Sequence, residues 1–307
     1  MKYGVSGLCL IYAFRGVSLA DLAAALGRYP IPPMFGVLTV TIAAYVAMGV
    51  RLSYMADPPL SFRSTFSAAL VGLAVNNVLP AKAGEVAKAV WIGRSNGVPS
   101  QKTLGIVFME RFFDVNVLAF LSFWFLWNMG QHLSASFFAI CLIFGWCILF
   151  FFRLRPLWAE RFTRLFGPFV SLSRFVSLAL SGVLENMSPR RLAWLSVSSL
   201  VVWCFFALEM AFCLNGVAGL GLSWDTVLFV FAVSGLGMLL PSSPGAVGVY
   251  EAVMAAALER CGIAPDEALA IALFSHMLQF LPVTLAGGVI FFQGAGTLKP
   301  ERWHDVD

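Results

Sequence analysis

Twice in this chain an apolar stretch is cut by proline and glycine beside ionisable residues, and these two cuts limit what it can fold into. The first reads Asn76-Asn77-Val78-Leu79-Pro80-Ala81-Lys82-Ala83-Gly84-Glu85, the second Leu240-Pro241-Ser242-Ser243-Pro244-Gly245-Ala246-Val247-Gly248-Val249-Tyr250-Glu251. Proline and glycine end helices. Broken backbone at membrane depth survives only where protein or a water-filled cavity satisfies its polar groups. Two breaks in corresponding places are the sequence pattern of a transporter-like core.

The flanking composition says which solvent the chain meets. Of its 307 residues 60% are hydrophobic and 12% charged, against about half and about a quarter in a soluble domain. Several runs reach the roughly 20 apolar residues that cross a bilayer, so the expected fold class is all-α, a polytopic transmembrane helical bundle. We read 1–307 as one integral membrane domain. The six cysteines are scattered, five of them (Cys9, Cys141, Cys147, Cys204, Cys213) inside apolar runs, and no pair has zinc or redox spacing. His132, His276 and His304 are equally dispersed, so neither a metal nor a cofactor is expected. The stretch Met1–Phe14 lacks a small-residue cleavage pattern, so no cleavable signal peptide is expected.

Spans are expected near Met34–Leu52, Leu104–Trp127, Ser134–Phe152, Leu192–Leu214 and Glu267–Phe292. The short apolar segment Tyr3–Phe14 is either a span or an interfacial amphipathic helix. Seven of the 20 Lys and Arg lie between Arg153 and Arg191, which puts that amphipathic segment (153–191) on the cytoplasmic surface, where anionic lipids attract it. Lys299 and Arg302 put the C-terminus on the same side, as expected for the plasma (inner) membrane of a cell. Arg51, Arg63, Arg94 and Lys102 bracket residues 64–93 with cytoplasmic charge. Residues 224–258 then begin and end outside. Each broken segment is thus a re-entrant hairpin, one from each face, in an inverted repeat. Pro80-x-x-x-Gly84 matches Pro244-x-x-x-Gly248, with Pro241-x-x-x-Gly245 as an equal alternative register. Thirteen or fourteen residues on, Gly97-Val98-Pro99 matches Gly262-Ile263-Ala264-Pro265.

Ionisable residues in such segments are functional candidates by default. Around the first break these are Asn77, Lys82, Glu85 and Lys88, with the exposed amide of Gly84. A helix starting at Gly84 places Glu85 in its first turn, where the backbone dipole favours a carboxylate, and leaves Lys82 to meet an anionic headgroup beside free N–H groups. Lys82 and Lys88 reaching the interface as ordinary snorkelling lysines is the plainer alternative. Glu110 and Asp114 share a helix face with Arg111 beside them. Arg111 either binds a lipid phosphate, which its fork fits, or joins a structural ion pair. Around the second break the candidates are Ser242, Ser243, Gly245 and Glu251. In the last span His276 and Gln279 take roughly the places of Arg111 and Asp114, although His276 alone reads more often as a packing residue. Glu209 sits inside its own span with no partner legible in the sequence.

At these residues the chain resembles the membrane-domain family of lysylphosphatidylglycerol synthases, often called flippase-like proteins. The resemblance rests on Asn77-x-x-Pro80-x-x-x-Gly84-Glu85, on Glu110-Arg111-x-x-Asp114 and on Pro244-Gly245-x-x-Gly248-x-x-Glu251. It implies a protein that moves lipids between leaflets, with aminoacylated phosphatidylglycerol or polyprenyl- and hopanoid-type lipids as substrate classes. It implies partners that are anionic membrane lipids and not nucleic acid; a second copy or a lipid-modifying enzyme would also be in keeping. The soluble aminoacyl-transferase domain of the fused synthases has no counterpart in these 307 residues, so lysyl transfer is not expected of them. A membrane transferase using Glu85 or Glu251 as general base, or a non-transporting accessory subunit, are the other readings.

Overall fold

The computed structural model describes residues 29–80, 82–155, 170–238 and 243–294, with Gly27, Trp158 and Thr163. The segment Tyr3–Phe14, residues Pro241 and Ser242, most of residues 156–169 and the basic C-terminus lie outside the described residues. Among the described residues ten α-helices follow one another: α1 (Ile31–Ser53), α2 (Phe62–Val78), α3 (Ala83–Asn96), α4 (Ser100–Asn128), α5 (His132–Leu154), α6 (Val170–Glu185), α7 (Pro189–Ala211), α8 (Trp224–Gly237), α9 (Val249–Arg260) and α10 (Pro265–Gly294). A π-helical turn, Phe212–Val217, continues α7, and a 3-10 turn, Pro244–Ala246, precedes α9. No strand occurs among the described residues.

Among the described residues four helices, α1, α5, α10 and α7 with its π turn, are long and apolar enough to cross a membrane. Helix α5 shows what their surfaces face. Leu133, Phe137, Ile140, Ile143 and Phe144 are all more than three-fifths exposed. Burying such a side chain is worth about 1.5–3 kcal/mol, so five left in water would forgo on the order of 10 kcal/mol, comparable to a whole domain's stability. Lipid removes that penalty. The chain is an all-α, multi-pass membrane protein. Helix α4, at 29 residues, has the length to span but carries Lys102, Glu110, Arg111 and Asp114, and it buries the two acids.

The described residues pack into two compact units. The first takes in those from Met1–Ala44, Leu73–Ala83 and Val202–Ala286, the second those from Tyr45–Gly72, Gly84–Val201 and Gly287–Asp307. Within the second unit, α4 packs against α5 and α6. A Cβ on Gly105 of α4 would fall on the Ala179 carbonyl oxygen of α6, and one on Gly182 would fall on that of Lys102. Only glycine permits this backbone approach, as is usual where membrane helices pack closely. Helix α6 is thereby held by α4 through close backbone packing.

Both breaks stand where proline and glycine cut the apolar runs. The last turn of α2 closes with Leu79 N–H donating to the Val75 carbonyl at 2.7 Å. Lys82 (φ 53°) then turns the chain into α3. In the second copy Gly245 (65°), Ala246 (58°) and Gly248 (88°) turn it into α9. The residue just before each short helix therefore has positive φ, and Lys82 corresponds to Gly248. That is two residues from the Pro80/Pro244 and Gly84/Gly248 matches read from the sequence. The reason is physical: the left-handed residue sets the helix start, and here that residue is a lysine in one copy, which pattern matching on glycine overlooks.

The ends of the short helices repeat as well. Gly97 (φ 69°) and Gly262 (φ 87°) follow α3 and α9. Val98 N–H reaches back to the Gly93 carbonyl at 3.0 Å and Ile263 N–H to that of Leu258 at 3.2 Å, the same glycine-terminated helix end in both copies.

Candidate functional site

In the second unit six charged side chains close into a ring. From Arg51 near the end of α1, Nη1 lies 2.7 Å from Asp114 Oδ1 and Nη2 lies 2.6 Å from Glu110 Oε1. Lys88 Nζ of α3 reaches Glu110 Oε2 at 3.0 Å and Glu85 Oε2 at 3.7 Å. Arg111 Nε is 3.0 Å from Glu85 Oε2, and its Nη1 is 3.1 Å from Asp114 Oδ2. Going round, cation and carboxylate alternate: Arg51, Asp114, Arg111, Glu85, Lys88, Glu110 and back to Arg51. Three positive charges meet three negative ones, so the cluster is neutral and each charge has two opposite neighbours.

Local structure places every member. Glu85 stands in the first turn of α3, with Lys88 one turn on. Glu110, Arg111 and Asp114 present one turn of α4, where spacings of three and four share a face. Arg51 enters from α1 and also donates to Ser199 Oγ of α7 at 2.9 Å. Trp194 Nε1 of the same helix donates to the Arg51 carbonyl at 3.2 Å. The side chains of Arg51, Lys88 and Glu110 are 0–1% exposed, while Glu85 is 19% and Arg111 35% exposed. The ring thus has a sealed side and an open one.

Two sequence readings change here. Arg51 was counted among cytoplasmic surface charges, but it is fully buried. Lys88 does not snorkel to an interface; it is held inside by two carboxylates. In both cases the pairing with α4 compensates a charge that the hydropathy pattern alone would send to the surface. Lys82, by contrast, is exposed, and Pro80 next to the turn is exposed too.

The first unit holds a second, smaller group on the repeat-related elements. Glu251, in the first turn of α9, accepts from the Gly248 N–H at 2.7 Å through Oε2. Its Oε1 lies 2.6 Å from His276 Nδ1 of α10. This pair repeats Glu85–Arg111: in each copy a first-turn carboxylate of the short helix meets a basic side chain one helix later. Three residues beyond His276, Gln279 Nε2 donates to Glu209 of α7 at 3.0 and 3.2 Å. Tyr250 lies beside both, its hydroxyl 3.2 Å from Ser275 Oγ and its ring 4.7 Å from that of His276.

The ends of both breaks come together in this unit. Asn77 Nδ2 donates to Thr284 Oγ1 of α10 at 2.8 Å and lies 3.4 Å from the Phe280 carbonyl. A Cβ on Gly245 would collide with the Phe280 ring and lie 3.4 Å from the Asn77 carbonyl oxygen. Ser243 Oγ donates to the Val247 carbonyl at 2.9 Å, closing the turn that Pro244 begins. Gly84 is buried in the second unit, with its carbonyl 3.0 Å from where a Cβ on Gly72 of α2 would stand. Among the described residues no group of three or more His, Cys, Asp or Glu side chains is placed to hold a metal ion.

Sequence reasoning left out Arg51, Ser199 and the Glu209–Gln279 pair as site members. The legible signal was Arg51 lying two residues inside the end of an apolar helix, a place that a surface-charge count treats as an edge.

Over residues 1–287 the chain matches the family described as the lysylphosphatidylglycerol synthase TM region. It is also similar to a UPF0104 membrane protein from Methanothermobacter thermautotrophicus (strain ATCC 29096 / DSM 1053 / JCM 10044 / NBRC 100330 / Delta H). The two are 23% identical over 287 residues, which is 86% of this chain and 84% of the relative.

Proposed function

We propose, because the chain belongs to the lysylphosphatidylglycerol synthase TM region family, that it moves a lipid with an anionic headgroup between leaflets, whether an aminoacylated phosphatidylglycerol, another phospholipid or a polyprenyl- or hopanoid-type lipid. The observation that supports this most is the neutral ion ring with one open side. Arg51, Lys88 and Glu110 are sealed and hold the ring's shape. Arg111 and Glu85 are its accessible pair.

A lipid phosphate arriving at the open side would take the place of Glu85 on Arg111, whose planar fork suits phosphate. Glu85 keeps Lys88 during the exchange, so no carboxylate is left bare inside the protein. The headgroup is then held by a cation already oriented by Asp114, while the acyl chains stay in lipid against faces such as that of α5. The two breaks, read as re-entrant hairpins from opposite sides, would supply the polar path. In this reading the protein sits in the plasma membrane with its C-terminus cytoplasmic, and its partners are membrane lipids, with a second copy or a lipid-modifying enzyme alongside.

The test is a leaflet-resolved lipid assay in proteoliposomes. Arg111→Ala and Glu85→Gln should each slow headgroup transfer by roughly tenfold or more, the effect of about 1.4 kcal/mol at a single site. Transfer at the wild-type rate in both variants, with the protein correctly folded, would overturn the proposal. One observation favours a second reading: the 2.6 Å Glu251–His276 contact is an oriented acid–base pair of the kind a transferase uses. A covalently altered labelled lipid after incubation would select that reading instead.

A further inference from the structure

The two repeat-related groups differ in their charge count. The ring of the second unit balances three cations with three carboxylates. In the first unit Glu209 and Glu251 are both buried, 2% and 4% exposed, and the base that meets them among the described residues is His276. Even as imidazolium it neutralises one carboxylate, and it is committed to Glu251 at 2.6 Å. Glu209 has the neutral amide of Gln279 as its hydrogen-bond partner among the described residues.

An ionised carboxylate in that setting is costly. Burying a charge without an opposite one is avoided by pairing or by neutralisation. In the ring, Asp114 solves the problem with Arg51 from α1, the long helix preceding the first break. In the second copy the corresponding long helix, α7, offers a carboxylate, Glu209, to Gln279. Among the described residues no cation meets this carboxylate as Arg51 meets Asp114.

We propose that a proton fills this place, so that Glu209 and Gln279 form a proton-binding site inside the first unit. The acid form suits its partner. A carboxylic acid and a primary amide are complementary, the amide N–H donating to the acid's carbonyl oxygen while the acid O–H finds the amide oxygen. Gln279 Nε2 already lies within 3.0 and 3.2 Å of the two Glu209 oxygens, so the donor half of that pairing is in place. Among the described residues the titratable groups on the surrounding elements are Cys213 of the π turn, Tyr250 and Glu251 of α9 and His276 of α10. Cys213 and Tyr250 lie within electrostatic reach of Glu209, and neither brings a positive charge. On the transport reading above, on which this clause alone rests, this proton is the coupling ion.

The experiment is infrared difference spectroscopy of the full chain in lipid nanodiscs, titrated with pH in sodium-free and in sodium-containing buffer. A carbonyl band of a protonated carboxylic acid should be present at neutral pH, vanish in Glu209→Gln and persist in Glu259→Gln, a control at an exposed residue. In Gln279→Leu the band should remain but move to higher frequency, because its carbonyl loses a donor. That second variant keeps the test decisive should Glu209→Gln fail to fold. A missing band in the wild type, a band unaltered by both variants, or one removed by sodium at constant pH would overturn the proposal. None of these readouts depends on lipid transfer, so failure here and failure of the transport reading remain distinguishable.

Discussion

Replacing Arg51 by methionine tests the ring most directly. The substitution keeps the length and apolar stem of the side chain but removes four hydrogen bonds, two to Asp114, one to Glu110 and one to Ser199. Glu110 retains Lys88 and Asp114 retains Arg111, yet the buried cluster is left with two cations against three carboxylates. Breaking a buried pair from one side typically costs about 3–5 kcal/mol. At about 2 °C per kcal/mol for a chain of a few hundred residues, the unfolding midpoint should fall by roughly 6–10 °C. Adding Asp114→Asn restores neutrality. The double variant should therefore be more stable than the sum of the two single losses, with a coupling of at least about 1 kcal/mol. Midpoints come from heating the detergent-solubilised protein and following its monodisperse fraction at one scan rate. A wild-type midpoint for Arg51→Met, or strictly additive losses in the double variant, would refute the closed ring.

Further outcomes follow from the breaks and the packing. Gly245→Ala places a Cβ at φ 65° and against the Phe280 ring, so it should destabilise by about 1–2 kcal/mol from the left-handed backbone alone; pairing it with Phe280→Ala should recover the steric part in the same thermal assay. Gly105→Leu drives a side chain into the α6 backbone at Ala179 and should abolish monodisperse protein on gel filtration, whereas Ser95→Ala at an exposed position should not. Glu251→Ala removes the cap on Gly248 N–H and the partner of His276, and should cost about 1 kcal/mol or more. If the two copies are inverted, Cys261, in the turn after α9, should be labelled from outside by a charged maleimide, while Ser95→Cys in the same background should be labelled only after permeabilisation. The opposite pattern, or labelling of both from one side, would remove the inversion.

The register of the two copies shows what kind of information the sequence carried. Apolar runs near 20 residues, the prolines and glycines that cut them, and the glycines at 97 and 262 that end the short helices are local signals. Each acts through the backbone of its own segment, so helix existence, the two breaks and the repeated order could be read directly. Spacing within a helix also placed Glu110, Arg111 and Asp114 together and Glu85 one turn from Lys88. The Lys82 turn escaped because a lysine is not a residue type that signals positive φ.

Which helix meets which was another matter. Arg51 lies 59 and 63 residues from its acids and 148 from Ser199, and Glu209 lies 70 residues from Gln279. No periodicity links such positions, because a helix's own pattern fixes a face but not the face opposite. The sequence by itself determined a membrane-spanning helical chain with two matched breaks and a set of charges that must find partners. Tertiary packing alone decided that six of those charges close on one another while Glu209 meets an amide, since in a low-dielectric interior a charge's state is set by whichever side chains the fold brings within hydrogen-bond reach.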